Sequence, residues 1–267
     1  MMYLGVESSL TGRRWVGPDA AVTRAADVIS QGSSDVAPAV ASVLARRGVP
    51  LHDVAGFLAP ALRDLMPDPN VLKDMDPAST RIVQALLGAQ RIAIFADYDV
   101  DGATSASLLM DAARFFNLRP TLYVPDRIDE GYGPNELAMA ALAKDHDLII
   151  CVDCGTLSHD ALTAAKGTDV LVLDHHLGGE TLPPALAVVN PNRQDESGEL
   201  DYLCAAGVVF MVLVDVNRKL RAEGQPTPDL LSMLDLVNDG SSWEEVVHLV
   251  KEIEKAGATI INTGIGW

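Results

Sequence analysis

Five short runs dense in apolar residues punctuate this chain: Arg91 to Ala96, Thr121 to Val124, Asp147 to Gly155, Asp169 to His176 and Ala185 to Val189. Each has the length and composition of a buried strand. Between them apolar residues recur at helical spacing. Ala103 to Phe116 shows it through Ala106, Leu109, Ala113 and Phe116. Pro134 to Ala143 opens on a proline in a favoured first-turn position, and Ser158 to Ala165 is closed by Gly167. Ala205 to Leu220 reads as a long apolar helix, with Arg218, Lys219 and Arg221 at its end complementing the helix dipole rather than pointing to a nucleic acid. Strands alternating with helices predict an α/β fold built on a mostly parallel, doubly wound sheet.

The segment before the first strand is helical and broken. The pattern predicts helices over Ala20 to Ile29, Val40 to Gly48, His52 to Leu58 and Pro77 to Leu87, with Pro50 and Pro60 as stops and a loop around Gly32, Ser33 and Ser34.

Polar residues at the strand ends carry the chemistry. The run Arg91 to Thr104 passes from an apolar strand into Asp97, Asp99 and Asp101 on alternate positions, followed by Gly102. Side chains alternate along an extended chain, so these carboxylates can project the same way, an arrangement that calls for a cation. A solvated acidic loop does not fit the buried strand before it. An EF-hand needs a preceding helix and a glutamate at its twelfth position, where this chain has Leu108. Two further strands end in Asp153 and in Asp174, His175 and His176. In an open parallel sheet such ends gather at one edge, where ligands bind. Carboxylates with imidazole suit Mn²⁺ or Mg²⁺.

Composition changes the picture in two ways. The 267 residues carry 20 basic and 37 acidic groups, a net charge of −17. That balance disfavours nonspecific binding of duplex DNA, which rests on basic contacts to phosphates, and favours short or single-stranded substrates. Cys151, Cys154 and Cys204 form no disulfide framework, as expected of a reducing compartment. The C-x-x-C of Cys151 and Cys154 lacks further zinc ligands and straddles a strand end, so packing is its better account. No apolar run reaches the roughly 20 residues of a membrane span, and Met1 to Leu10 is no secretory signal. A cytoplasmic protein is expected.

The motifs D-Y-D-V-D-G-A-T-S, V-D-C-G and L-D-H-H resemble, in order and spacing, those of the DHH phosphoesterase superfamily. The flanking words G-V-P-L-H-D-V-A-G-F-L-A-P, L-M-P-D-P-N-V-L-K-D-M-D-P-A-S-T-R-I, E-G-Y-G-P-N, V-V-N-P-N-R and L-C-A-A-G-V-V-F are similar to its RecJ-type branch of single-strand-specific 5′ to 3′ exonucleases, over about Val40 to Val237. The resemblance implies a metal-dependent phosphodiesterase with two Mn²⁺ or Mg²⁺ ions, acting on single-stranded DNA or short oligonucleotides in repair or recombination. It implies Asp97, Asp99, Asp153 and His175 as metal ligands, with Asp99 or Asp153 bridging the ions, and Asp235 as a further ligand in L-D-L-V. His176 would contact the scissile phosphate and Asp174 would orient His175. Asp101 stays open between ligand and supporting residue.

Beyond Val237 the likeness changes. Ser232 to Trp267 resembles a strand-helix-strand fragment of the barrel of 2,4-dienoyl-CoA reductases, with Ser241 or Ser242 capping a helix that ends at Gly257 and a strand over Ala258 to Asn262. The expected organisation is a helical preamble over 1–90, a DHH core over 91–237 and this tail over 238–267. The family's usual second domain is expected to be missing, and activity correspondingly weakened. Hydrolysis of small nucleotides or dinucleotides is an alternative, and so is a non-catalytic scaffold or a chimera of two folds.

Overall fold

The computed structural model describes residues 4–17, 19–61 and 65–234. Asp235 and the tail over 238–267, with its expected helix and strand, lie outside the described residues. The chain divides into two compact units, Met1–Pro67 and Asp68–Trp267.

The first unit holds α1 (Ala20–Gly32), α2 (Pro38–Arg46) and α3 (Val54–Leu58). Asp19 caps α1 by accepting the N–H of Ala21 at 2.8 Å. Proline opens α2 two residues earlier than the apolar pattern suggests. The stretch predicted as a helix from His52 is a 3₁₀ turn, Leu51–Asp53, followed by α3. Ile29, Val36, Ala41, Leu44, Ala45 and Val54 form its small core.

The second unit opens with α4 (Met75–Leu87) and then alternates: β1 (Ile92–Ala96), α5 (Val100–Phe115), β2 (Thr121–Tyr123), α6 (Glu136–Asp145), β3 (Leu148–Val152), α7 (His159–Ala164), β4 (Asp169–Leu173), β5 (Ala187–Val189) and α8 (Ala205–Ala222). The strand order is β2-β1-β3-β4-β5, and every pairing is parallel. On one face Ala93, Phe95, Ile149, Cys151, Val170, Val172 and Val188 pack against Ala138, Met139 and Leu142 of α6 and Ala161 and Leu162 of α7. Helices α4, α5 and α8 lie on the other. Cys151 and Cys154 sit in this core as free, buried thiols whose ionisation burial pushes up.

The winding reverses between β1 and β3, the neighbours at the centre of the sheet. This is the topological switch point, where the strand ends leave a crevice. Register aligns what stands there. Ala96 pairs with Val152, Val152 with Leu173 and Leu173 with Val189. The next residue on each strand is therefore Asp97, Asp153, Asp174 and Asn190, four buried polar groups in one row.

The far edge of the sheet is closed by side chains. Asp174 N–H donates to the carbonyl of Val189, so the backbone of Val188 turns outward by alternation. Its N–H donates to Asp74 Oδ2 at 3.1 Å and its carbonyl accepts from Arg193 at 2.7 Å, while Arg193 and Asp74 pair at 2.7 Å.

Candidate metal centre

Asp99 performs two local tasks. It is the N-cap of α5, its Oδ1 accepting the N–H groups of Asp101 at 3.0 Å and Gly102 at 3.1 Å, which explains why the helix begins three residues before the predicted Ala103. Gly102 lets the helix start press against the strand end: a Cβ there would lie 2.4 Å from the carbonyl oxygen of Asp97 and 2.9 Å from its nitrogen. Asp97 and Asp99 are thus held together at the tip of β1. Asp153 follows β3 with φ 58°, a left-handed conformation that aspartate tolerates better than most residues.

Two overlapping groupings result. Ligand atoms of Asp97, Asp99 and Asp153 lie within 4.8 Å of one another, and so do those of Asp153, His175 and His176. Asp153 belongs to both. Its two carboxylate oxygens and Asp97 Oδ1 are buried with no hydrogen-bond partner among the described residues. Orphaned buried carboxylate oxygens are costly, and hard oxygen donors beside imidazole fit Mn²⁺ or Mg²⁺. The residues present therefore fit the expected ions.

The electrostatics agree. Burial pushes Asp97 up to about 6, against a hydrogen bond from the N–H of Tyr98. Burial also pushes Asp153 up to about 7, helped by the Asp101 and Asp99 charges and opposed by His175, whose Nε2 is 3.3 Å away. A bound cation reverses this logic, favouring the ionised carboxylates.

Asp174 serves the other histidine from the one expected. Its Oδ1 accepts Nδ1 of His176 at 2.8 Å, and for His175 it accepts the backbone N–H alone. It orients the His176 ring, because the chain turns sharply after β4 and brings the second histidine back over the carboxylate. Thr156 donates its N–H and hydroxyl to Oδ2 at 3.1 and 2.6 Å. Burial works to raise Asp174, but the bonds from His176 and Thr156 outweigh it and hold it near 2. The same bond lifts His176 to about 9. The ring is half-exposed and lies against the Asp153 and Asp174 carboxylates, at 3.9 and 2.8 Å from Nδ1.

Asp101 is not in either grouping. Its oxygens accept the N–H groups of Ala205 at 2.7 Å and Ala206 at 2.8 Å, tying the start of α8 to the site, and its Oδ2 lies 3.6 Å from His175 Nε2. Sequence reasoning assigned no site role to Tyr132, Thr156, Asn190 or Asn192. The Tyr132 hydroxyl lies 3.2 Å from His176 Nε2 and donates to the carbonyl of Asp153 at 3.3 Å. The words E-G-Y-G-P-N and V-V-N-P-N-R held three of these four in view.

Residues 91–237 match the family model described as DHH family, N-terminal domain. The chain belongs to the DHH family. Among curated DHH relatives it is 40% identical over 192 residues to the single-stranded-DNA-specific exonuclease RecJ of Dickeya dadantii, covering 68% of this chain and 33% of that protein. With RecJ of Bacillus subtilis the identity is 36% over 178 residues, covering 66% of this chain and 23% of the relative. The chain thus spans only a quarter to a third of these relatives' length. Among solved structures, RecJ from Thermus thermophilus in complex with Mn²⁺ superposes with a TM-score of 0.62 at 28% identity, over 82% of this chain and 30% of that one. An exonuclease RecJ bound to manganese gives 0.56 at 32%, over 68% and 47%. The matches support the DHH and RecJ likeness and give no support to a reductase fragment over Ser232 to Trp267. Among the described residues no helix is long and apolar enough to cross a membrane.

Proposed function

We propose that this chain carries the catalytic core of a metal-dependent phosphodiesterase of RecJ type, a 5′ to 3′ exonuclease hydrolysing single-stranded DNA. The observation that carries the reading is the shared carboxylate of Asp153, buried at the switch point without a hydrogen-bond donor among the described residues, between Asp97 and Asp99 on one side and the His175 ring at 3.3 Å on the other. Asp97, Asp99, Asp153 and His175 would hold Mn²⁺ or Mg²⁺, with Asp235 as a further ligand. Bound divalent ions supply charge stabilisation to both oxygens of an in-line phosphoryl displacement and lower the pKa of water.

The protein's own part is positional and electrostatic. His176, held cationic by Asp174, can donate to a non-bridging phosphate oxygen, a charge-assisted bond that strengthens as charge builds in the transition state. Tyr132 limits where that ring can swing. Asp101 fixes the start of α8 against the aspartate loop.

The acid excess favours short strands over long wrapped ones, and hydrolysis of small nucleotides is the second reading it supports. The expected organisation remains a preamble over 1–90, a core over 91–237 and a tail over 238–267. A role in repair or recombination follows from the exonuclease reading. The test is nucleotide release from a 5′-phosphorylated oligonucleotide with Mn²⁺, beside Asp99→Ala and His175→Ala. Loss of release in both variants is expected, by at least a hundred-fold. Release unchanged by both would remove the catalytic assignment, and release confined to dinucleotides would favour the second reading.

A further inference from the structure

The V-V-N-P-N-R segment contributes no ligand, yet two of its side chains hold the backbone of the histidine loop. Asn190 is fully buried one rung beyond β5. Its Nδ2 donates to the carbonyl of His176 and to Thr156 Oγ1, each at 2.8 Å, and its Oδ1 accepts the N–H of Asn192 at 2.8 Å. Asn192 Nδ2 donates to the carbonyl of His175 at 2.6 Å. Thr156 passes its contact with Asn190 on to Asp174 and so to the His176 ring. The two loops touch closely: a Cβ on Gly178 would lie 3.1 Å from Arg193 Cα and 3.3 Å from the carbonyl of Asn192. Arg193 anchors the platform through Asp74, Asp195 and the carbonyl of Val188.

We infer that Asn190 and Asn192 are positioning residues, Asn192 for His175 and Asn190 for His176. The inference rests on the reading above of His175 as a ligand and His176 as a phosphate contact. Residues 175 and 176 lie past the end of β4, where no ladder holds their carbonyls. A side-chain amide is suited to the place, since it donates twice and accepts once. An aspartate at 190 would set a carboxylate against two oxygens. Groups that orient a metal ligand typically change metal affinity ten- to a hundred-fold when removed.

The roles are separable. Asn192→Ala should weaken Mn²⁺ binding about ten- to a hundred-fold. Asn190→Ala should free the His176 ring, and Thr156→Val should do the same while Thr156→Ser preserves it. The experiment pairs Mn²⁺ calorimetry with nitrogen NMR of the histidine rings in metal-free protein, so neither readout needs DNA cleavage. A wild-type protein that binds Mn²⁺ without degrading DNA would sink the exonuclease reading and leave this one testable. Expected are a shifted His176 ring in Asn190→Ala and Thr156→Val, a wild-type ring in Thr156→Ser, and weakened Mn²⁺ binding in Asn192→Ala. Unchanged ring signals in the first two overturn the role of Asn190, and unchanged Mn²⁺ affinity in Asn192→Ala overturns that of Asn192. Should Asn190→Ala fail to fold, the Thr156 pair decides.

Discussion

Asp153 combines a left-handed backbone with a buried carboxylate whose oxygens accept no hydrogen bond among the described residues. Asparagine also tolerates that conformation, so Asp153→Asn should keep the fold while removing a buried charge that His175, 3.3 Å away, offsets only in part. We expect metal-free Asp153→Asn to be more stable than wild type at pH 8 by roughly 1–3 kcal/mol, with Mn²⁺ binding lost. Urea unfolding in EDTA and calorimetry check the two halves. The pH dependence has a definite sign. Asp97 and Asp153 have folded-state values raised to about 6 and about 7, so the metal-free folded state binds more protons than the unfolded chain, and stability falls as pH rises from about 4 to 7. His176, raised to about 9, contributes stability below its unfolded value that is lost as pH rises through 9. Asp174, lowered to about 2, contributes above its unfolded value and is lost only as pH falls through 2. In EDTA the urea midpoint should therefore be higher at pH 5 than at pH 8, and saturating Mn²⁺ should close the gap. The aspartates and histidines were legible because charged groups at the ends of apolar strands need an explanation. Asn190, Thr156 and Tyr132 were not, since uncharged polar residues in loops have many uses. The partner of Asp174 depended on a turn that spacing does not encode.

Helix starts were missed by two or three residues in both directions, α5 read three late at Ala103 and α6 two early at Pro134, because the capping residue sets the boundary. Asp99 and Asn135 are caps whose side chains accept helix N–H groups, and sequence alone did not show that Val100 already lies inside its helix or that Pro134 lies outside the next. The close approach of α5 to β1 hangs on Gly102. Gly102→Ala drives a methyl into the backbone of Asp97, which has no rotamer to yield, so a loss of about 1–3 kcal/mol and a sharp drop in Mn²⁺ affinity are expected. Urea unfolding and calorimetry measure both, and retained affinity would show that the loop reshapes freely. The basic end of α8 follows its sequence reading in a more specific form. Arg218 pairs with Asp68 and Asp215, and Lys219 with Asp76 and Asp215. Asp215 is fully buried and also accepts Ser79 Oγ at 2.5 Å. Removing that hydroxyl leaves a buried carboxylate short of a partner, and Ser79→Ala should cost about 1–3 kcal/mol in urea unfolding.

For the molecule as a whole, alternation of strand and helix made the parallel sheet legible, whereas the order of its strands, with the winding reversing between β1 and β3, came only from the structure. The division at Pro67 and Asp68 was not legible, since the prolines there read equally well as a turn between two helices of one unit. A cation that binds only the folded state stabilises it by mass action, about 2.7 kcal/mol at a hundred times its Kd. Mn²⁺ should raise the thermal midpoint accordingly, and Asp153→Asn should abolish the rise. At the sheet's outer margin, a carboxylate and a guanidinium from distant parts of the chain stand where another strand would otherwise anneal. Copies of this protein crowded together are thereby denied the easiest route to stacking edge to edge, and replacing Asp74 and Arg193 with alanine would open that route.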